Sequence, residues 1–223
     1  MSEPIGKILP IYFVADESAS MEENIDKLND GLKSLLDQIF GEPITKGKAR
    51  FSIIGFGTSA TLRLPMVDLQ EQTSMPKLEA SGSTSYVDAF NMLYECISED
   101  IPKLQSEGYE VNRPAVFFLT DGLPYPENQP WREAYRALTD PAFTSRPNIL
   151  AFGVGEAKKD IIREIATDDK FAYFSESDTS IGQALSRFVT ALTKSVIKSA
   201  QKGTGELILE EPTGFLKIAQ EII

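Results

Sequence analysis

The chain has 223 residues, 42% of them hydrophobic and 25% charged, with 22 basic against 33 acidic side chains and a formal charge of −11. That length suits one domain of ordinary size with a single substantial core. So acidic a chain, with no Lys/Arg cluster, argues against binding a phosphate backbone and hence against nucleic acid. There is no histidine and a single cysteine, Cys96, which excludes Ser-His-Asp and Cys-His nucleophile systems, His-ligated metals, an intramolecular disulfide and paired-cysteine zinc sites.

In chain order, Ile8 to Ala15 is a continuous apolar run ending at Asp16, the pattern of a strand buried on both faces. Residues 21–40 carry Met21, Ile25, Leu28, Leu32, Leu35, Leu36 and Ile39 on one helical stripe, closed by Gly41 and Pro43. Residues 49–56 read as a strand, 57–59 as a turn and 60–64 as its antiparallel return. The stretch 65–84 reads mostly as loop. A helix over 86–101 turns Val87, Phe90, Leu93, Tyr94, Ile97 and Ile101 inward, and Pro102 is expected to break or kink it. Cys96 on this stretch reads as a buried, inert thiol.

Ala115 to Leu119 is a second fully apolar strand and leads into Thr120-Asp121-Gly122. A Pro-rich loop follows, then a helix over 131–138, a strand over 148–154, a helix over 159–166, a strand over 171–174 and a helix over 179–199. Ile181, Leu185, Phe188, Leu192 and Val196 mark the inner face of that last helix. The alternation predicts an α/β fold: a Rossmann-like open sheet, mostly parallel with one antiparallel edge strand, and helices on both faces. Domain limits of 1–201 and a C-terminal tail of 202–223 follow. Gly203 and Gly205 read as a hinge, and the apolar segments 207–209 and 215–216 as docking back on the domain or on a partner. No run approaches the ~18 apolar residues of a membrane span. The opening MSEPIGKILPIYFVAD leads straight into the first strand, so a cytoplasmic location is expected.

Three segments carry the chemistry: Asp16-Glu17-Ser18-Ala19-Ser20, Ser83-Thr84-Ser85 and Thr120-Asp121-Gly122. In an open α/β sheet, ligands bind beyond the carboxyl ends of the strands at the switch point, and Asp16 and Asp121 both stand at such ends. If the loops meet, they present carboxylates and hydroxyls, hard oxygen donors suited to Mg²⁺ or Mn²⁺. Each segment also has a plain structural reading. Ser20 with Glu23 fits a helix capping box, Ser85 with Asp88 another, and Asp121-Gly122 an ordinary turn. A capping role for Ser20 does not account for Asp16 and Ser18 before it.

Here the chain resembles the von Willebrand factor A domain family. The first segment matches its D-x-S-x-S signature, Thr84 its lone threonine and Asp121 its distal aspartate, in order, over about residues 8–199. The resemblance implies a metal-ion-dependent adhesion site. Ser18, Ser20 and, in a ligand-competent state, Thr84 would bind the cation directly, with Asp16 and Asp121 bound largely through water or one of them directly. Mg²⁺ is the expected ion, with Mn²⁺ or Ca²⁺ as alternatives. Few direct carboxylates leave the ion electrophilic, with an open position for a partner's Asp or Glu.

Glu17 and Ala19 depart from the family's usual residues. Glu17 is expected to point to solvent, and Ala19 to be tolerated unless its φ must be positive. Tyr125 and Trp131 read either as an aromatic rim for a partner or as rings packed on the domain.

Within the family, LPIYFVADESASM, SGSTSYVDAF and AVFFLTDGLP resemble stand-alone bacterial cytoplasmic domains of the tellurium-resistance type. That likeness implies a scaffold or adaptor working beside a protein kinase and a PP2C-like phosphatase. The leading expectation is a non-enzymatic, metal-dependent protein-binding module that contacts neither membrane nor nucleic acid. One alternative is a Mg²⁺-dependent phosphohydrolase, disfavoured because Ser18 stands where phosphoryl transfer of the haloacid-dehalogenase pattern would place a second Asp. The other is a structural subunit with a vestigial metal site.

Overall fold

A computed structural model describes residues 4–41, 49–202, 204 and 206–218. Its elements run β1 (Gly6–Asp16), α1 (Ile25–Gly41), β2 (Ala49–Phe56), β3 (Ala60–Val67), α2 (Tyr86–Ser106), β4 (Tyr109–Val111), β5 (Ala115–Thr120), α3 (Trp131–Thr139), β6 (Asn148–Gly153), α4 (Lys159–Ile165), β7 (Ala172–Ser175), α5 (Ile181–Lys202) and β8 (Phe215–Lys217). The strands form one sheet in the order β3-β2-β1-β5-β6-β7-β8. β3 and β8 are antiparallel to their neighbours and the internal pairs are parallel. The expected mostly parallel α/β sheet is therefore present, with an antiparallel strand at each edge rather than at one. The predicted hinge at Gly203 and Gly205 and the stop at Pro43 lie outside the described residues.

β1 is central because it is apolar on both faces. Leu9, Ile11, Phe13 and Ala15 enter a core with the α1 stripe and the inner face of α5. Tyr12 and Val14 enter the opposite core with α2, α3 and α4. The second core is rich in aromatic rings: Tyr86 meets Phe56, Phe118 and Trp131 edge-on at 5.4–5.9 Å between centroids, the favoured geometry for such pairs.

Several boundaries moved, each for a physical reason. The helix expected over 21–40 splits into a 3₁₀ turn, Ala19–Met21, followed by α1, because the residues before Ile25 serve the loop that ends β1. β3 runs on through Pro65 to Val67, which an edge strand tolerates, and its pairing with β2 slips in register near Ile53. α2 continues through Pro102 to Ser106. Burial of Ile101 and Leu104 on either side of Pro102 holds that last turn to the core. On the same helix Tyr86 replaces Tyr94 as the inward ring. Tyr94 is 38% exposed and lies against Phe143 at 4.8 Å. Cys96 is half-buried, and burial together with Asp100, Glu99 and Glu95 pushes its thiol up to about 11.

β4 was not foreseen. It pairs with the start of β1 while β5 pairs with the end of it on the same side, so β4 and β5 act as one strand interrupted at 112–114. The tail crosses α5 in extended form. Ile208 N donates to Ser199 Oγ (2.8 Å) and Glu210 N to Ser195 Oγ (2.9 Å), and β8 then pairs with β7.

Candidate metal centre

The strand order reverses direction between β1 and β5: the chain leaves β1 toward β2 and returns on the other side. Ala15 is in register with Leu119, so the residues that follow, Asp16 and Thr120, stand side by side at the carboxyl edge. Thr120 Oγ1 donates to Asp16 Oδ2 at 2.5 Å. Asp16 Oδ1 accepts from Ser18 N at 2.8 Å, folding the first loop back on its own carboxylate. Ser18 Oγ and Ser20 Oγ are 3.0 Å apart, and Ser20 Oγ donates to Asp121 Oδ1 at 2.7 Å.

Thr84 arrives from the loop before α2. Its hydroxyl lies 3.6 Å, and that of Ser20 3.9 Å, from the point where a Cβ on Gly122 would sit. Its carbonyl accepts from Tyr125 N (2.9 Å) and from Gln129 Nε2 (3.1 Å), which fixes it to the loop after Asp121. All five predicted residues, Asp16, Ser18, Ser20, Thr84 and Asp121, are thus drawn from three separate loops to one edge of the sheet.

Asp16, Ser18, Thr84 and Asp121 are buried, yet neither Asp16 nor Asp121 has a Lys or Arg in ion-pair range among the described residues. Burial pushes the Asp16 carboxyl up to about 6; hydrogen bonds from Ser18 and Thr120 oppose the rise and nearby Asp121 adds to it. Burial also raises Asp121, against the hydrogen bond from Ser20. Two carboxylates removed from water without a counter-charge are unfavourable as anions, and a divalent cation supplies the charge they lack. Among the described residues no three His, Cys, Asp or Glu side chains group as a metal site. A cation at this edge would depend on the Ser18, Ser20 and Thr84 hydroxyls as much as on the two acids, and that all-oxygen set fits Mg²⁺, Mn²⁺ or Ca²⁺.

Some residues play parts that differ from expectation. Ser20 does not cap a helix; its hydroxyl is committed to Asp121. Ser85 does cap α2, accepting from Asp88 N at 3.3 Å. Glu17 does not point to solvent. It is 3% exposed and salt-bridged to Arg63 at 2.9 Å. No non-glycine residue has positive φ among the described residues, so Ala19 is unstrained. The two aromatic candidates divide: Trp131 is fully buried in the core and Tyr125 is 67% exposed.

Two residues outside the predicted ligand set support the site: Thr120, within the third segment, and Tyr86, beyond all three. Tyr86 Oη donates to Gly122 O at 3.0 Å, tying the aromatic core to the Asp121 turn. The one sequence signal for Thr120 is that it is the hydroxyl residue closing an apolar strand.

A family model for the von Willebrand factor type A domain matches residues 11–191. The chain belongs to the von Willebrand factor type A domain family. Similar solved structures include proximal thread matrix protein 1 from the mussel byssus with a zinc-occupied MIDAS motif, at 18% identity over 86% of this chain and 47% of that one, TM-score 0.56. A von Willebrand factor type A protein from Catenulispora acidiphila matches at 14% identity over 86% and 43%, TM-score 0.60. The pilus adhesin SpaC from Lactobacillus rhamnosus GG, in an open conformation, matches at 14% identity over 89% and 31%, TM-score 0.66. This A domain spans less than half the length of each of these three proteins, and at such identities the likeness speaks to the fold. No curated protein sequence matches the chain.

Proposed function

We propose that this A domain is a non-enzymatic binding module that holds a divalent cation, Mg²⁺ first and Mn²⁺ or Ca²⁺ as alternatives, and presents it to an Asp or Glu of a protein partner. Ser18, Ser20 and Thr84 would hold the ion directly, and Asp16 and Asp121 largely through water. The observation that carries this reading is the convergence of two buried, uncompensated carboxylates with three hydroxyls at the switch point of the sheet. When bound, the cation supplies an electrophilic position that a partner carboxylate can fill. The residues of the chain do the rest: Thr120 and the Ser18 amide orient Asp16, and Ser20 orients Asp121.

The phosphohydrolase alternative has less to support it. Ser18 occupies the position a second catalytic Asp would need, and among the described residues no Lys or Arg stands in ion-pair range of Asp16 or Asp121 to neutralise a bound phosphate. A finer reading places the domain in bacterial cytoplasm as a scaffold beside a protein kinase and a PP2C-like phosphatase, in a tellurium-resistance or related stress system. Its support is the likeness of SGSTSYVDAF and AVFFLTDGLP to that group. Affinity capture with tagged wild-type protein, with and without chelator, tests the reading. Chelator-sensitive capture of a partner, lost in Asp16→Ala, is expected; capture indifferent to both contradicts it.

A further inference from the structure

Glu17 stands in the chain between the predicted ligands Asp16 and Ser18, and its environment is unusually specific. The carboxylate accepts three hydrogen bonds from two residues: Arg63 Nε and Nη2 donate to Oε2 at 3.1 and 2.9 Å, and Glu79 N donates to Oε1 at 3.1 Å. It lies over Gly55 of β2, where a Cβ would run into the carboxylate. The glycine therefore makes the seat. Charge at this seat is matched rather than exposed: the Glu17 side chain is 4% and that of Arg63 31% accessible.

The main chain of the same residue joins the same elements. Glu17 N donates to Phe56 O at 2.7 Å and Ser81 N donates to Glu17 O at 2.7 Å, while Ala19 N donates to Gly82 O at 3.0 Å. The segment 78–82 is thus bound to the first metal loop by side chain and backbone together. Its other side is tied to α1, where Asn29 exchanges two hydrogen bonds with the Leu78 backbone at 2.8 and 2.9 Å. Thr84 is two residues beyond this anchored stretch.

We propose that the Glu17–Arg63 pair, seated on Gly55, is the brace that positions the Thr84 loop against Ser18 and Ser20. Glu17 is a positioning residue; it neither ligates the cation nor repels an acidic partner, because Arg63 neutralises it and points it away from Asp16. This inference rests on the metal-binding reading for its effect on affinity, but the brace itself is a property of the metal-free fold. Groups that orient metal ligands from outside typically alter affinity by about 10–100-fold when removed.

The test compares wild type with Glu17→Gln, Arg63→Ala, Gly55→Ala and the conservative Arg63→Lys. Two quantities are read: Mn²⁺ affinity by calorimetry, and amide hydrogen exchange over 79–85 in metal-free protein. The brace predicts faster exchange confined to 79–85 and roughly 10-fold weaker Mn²⁺ binding in the first three variants, with Arg63→Lys recovering part of both.

Unchanged exchange in Arg63→Ala overturns the brace. So does tighter Mn²⁺ binding in that variant, which would make the freed Glu17 a ligand. Loss of protection spreading to β5 also overturns it, since the pair would then serve the fold as a whole. If wild type binds no Mn²⁺, the metal-binding reading fails, and the exchange measurement still decides the brace on its own.

Discussion

A carboxylate buried without a basic neighbour costs free energy unless its oxygens are satisfied, and Asp16 shows how far hydrogen bonding goes toward that. One oxygen takes the Ser18 amide and the other the Thr120 hydroxyl. The same Thr120 oxygen accepts from Gly122 N at 3.2 Å, so a single side chain joins the two acid-bearing loops. Replacing it by valine keeps the shape and removes both bonds. Thr120→Val is expected to destabilise the domain by about 1–3 kcal/mol in urea unfolding. It should also weaken Mn²⁺ binding by about 10-fold in calorimetry. A variant equal to wild type in both would show that Thr120 is a spectator.

At this scale the sequence was readable for the ligand candidates and not for their supports. Asp16, Ser18, Ser20, Thr84 and Asp121 stand out only together, as three segments in register with one family signature; singly each passes for a cap or a turn. Glu17 reads as solvent-facing because a lone Glu in a loop defaults to solvent, and its partner Arg63 lies 46 residues away on an edge strand. For Trp131 the sequence leaves rim and packed ring both open, and α3 decides between them by turning the ring into the core.

At the scale of elements, α5 and the tail behave as a unit. Ser195 and Ser199 are one helical turn apart, and the amides they receive, Glu210 and Ile208, are two residues apart on an extended segment. A helical turn and two extended residues cover similar lengths, about 6 Å in each case, so the two spacings match. Both serines are buried and both hydroxyls accept from the tail. Leu207 and Leu209, which alternate with the bonded residues, pack on the α1–α5 core.

Ser195→Ala and Ser199→Ala should each cost about 1 kcal/mol. Each should speed exchange of the amide it releases, Glu210 or Ile208, while leaving Mn²⁺ affinity unchanged. Exchange at both amides indistinguishable from wild type would mean that the apolar contacts alone hold the tail.

The long elements were legible because their apolar runs exceed what chance produces: β1 and β5 as continuous runs, α1 and α5 as helical stripes. β4 and β8, three residues each, are too short to carry a period, and they form only because β1 and β7 offer them open backbone. The continuation of α2 past Pro102 was hidden for the opposite reason. A local rule against proline in a helix yielded to the burial of Ile101 and Leu104, which no local window weighs.

At the scale of the whole molecule, the sheet brings the three loops together, so filling the site should be felt by the fold. A ligand that binds only the folded state stabilises it by about 2.7 kcal/mol at one hundred times its dissociation constant. For a domain of this size that corresponds to a rise of roughly 5–10 °C in the unfolding midpoint. Saturating Mn²⁺ should produce such a rise in wild type, chelator should reverse it, and Asp121→Ala should abolish it. An equal rise in that variant would assign the stabilisation to ions elsewhere on a surface of net charge −11.

On this reading Asp16, Ser18, Ser20, Thr84 and Asp121 form one cation site at the switch between β1 and β5. Calorimetric titration of Mn²⁺ into wild type, Asp16→Ala and Ser18→Ala tests it most directly. One saturable, chelator-reversible site is expected in wild type, lost in Asp16→Ala and at least about 10-fold weaker in Ser18→Ala. Absence of that site in wild type, or equal binding by all three proteins, would contradict it.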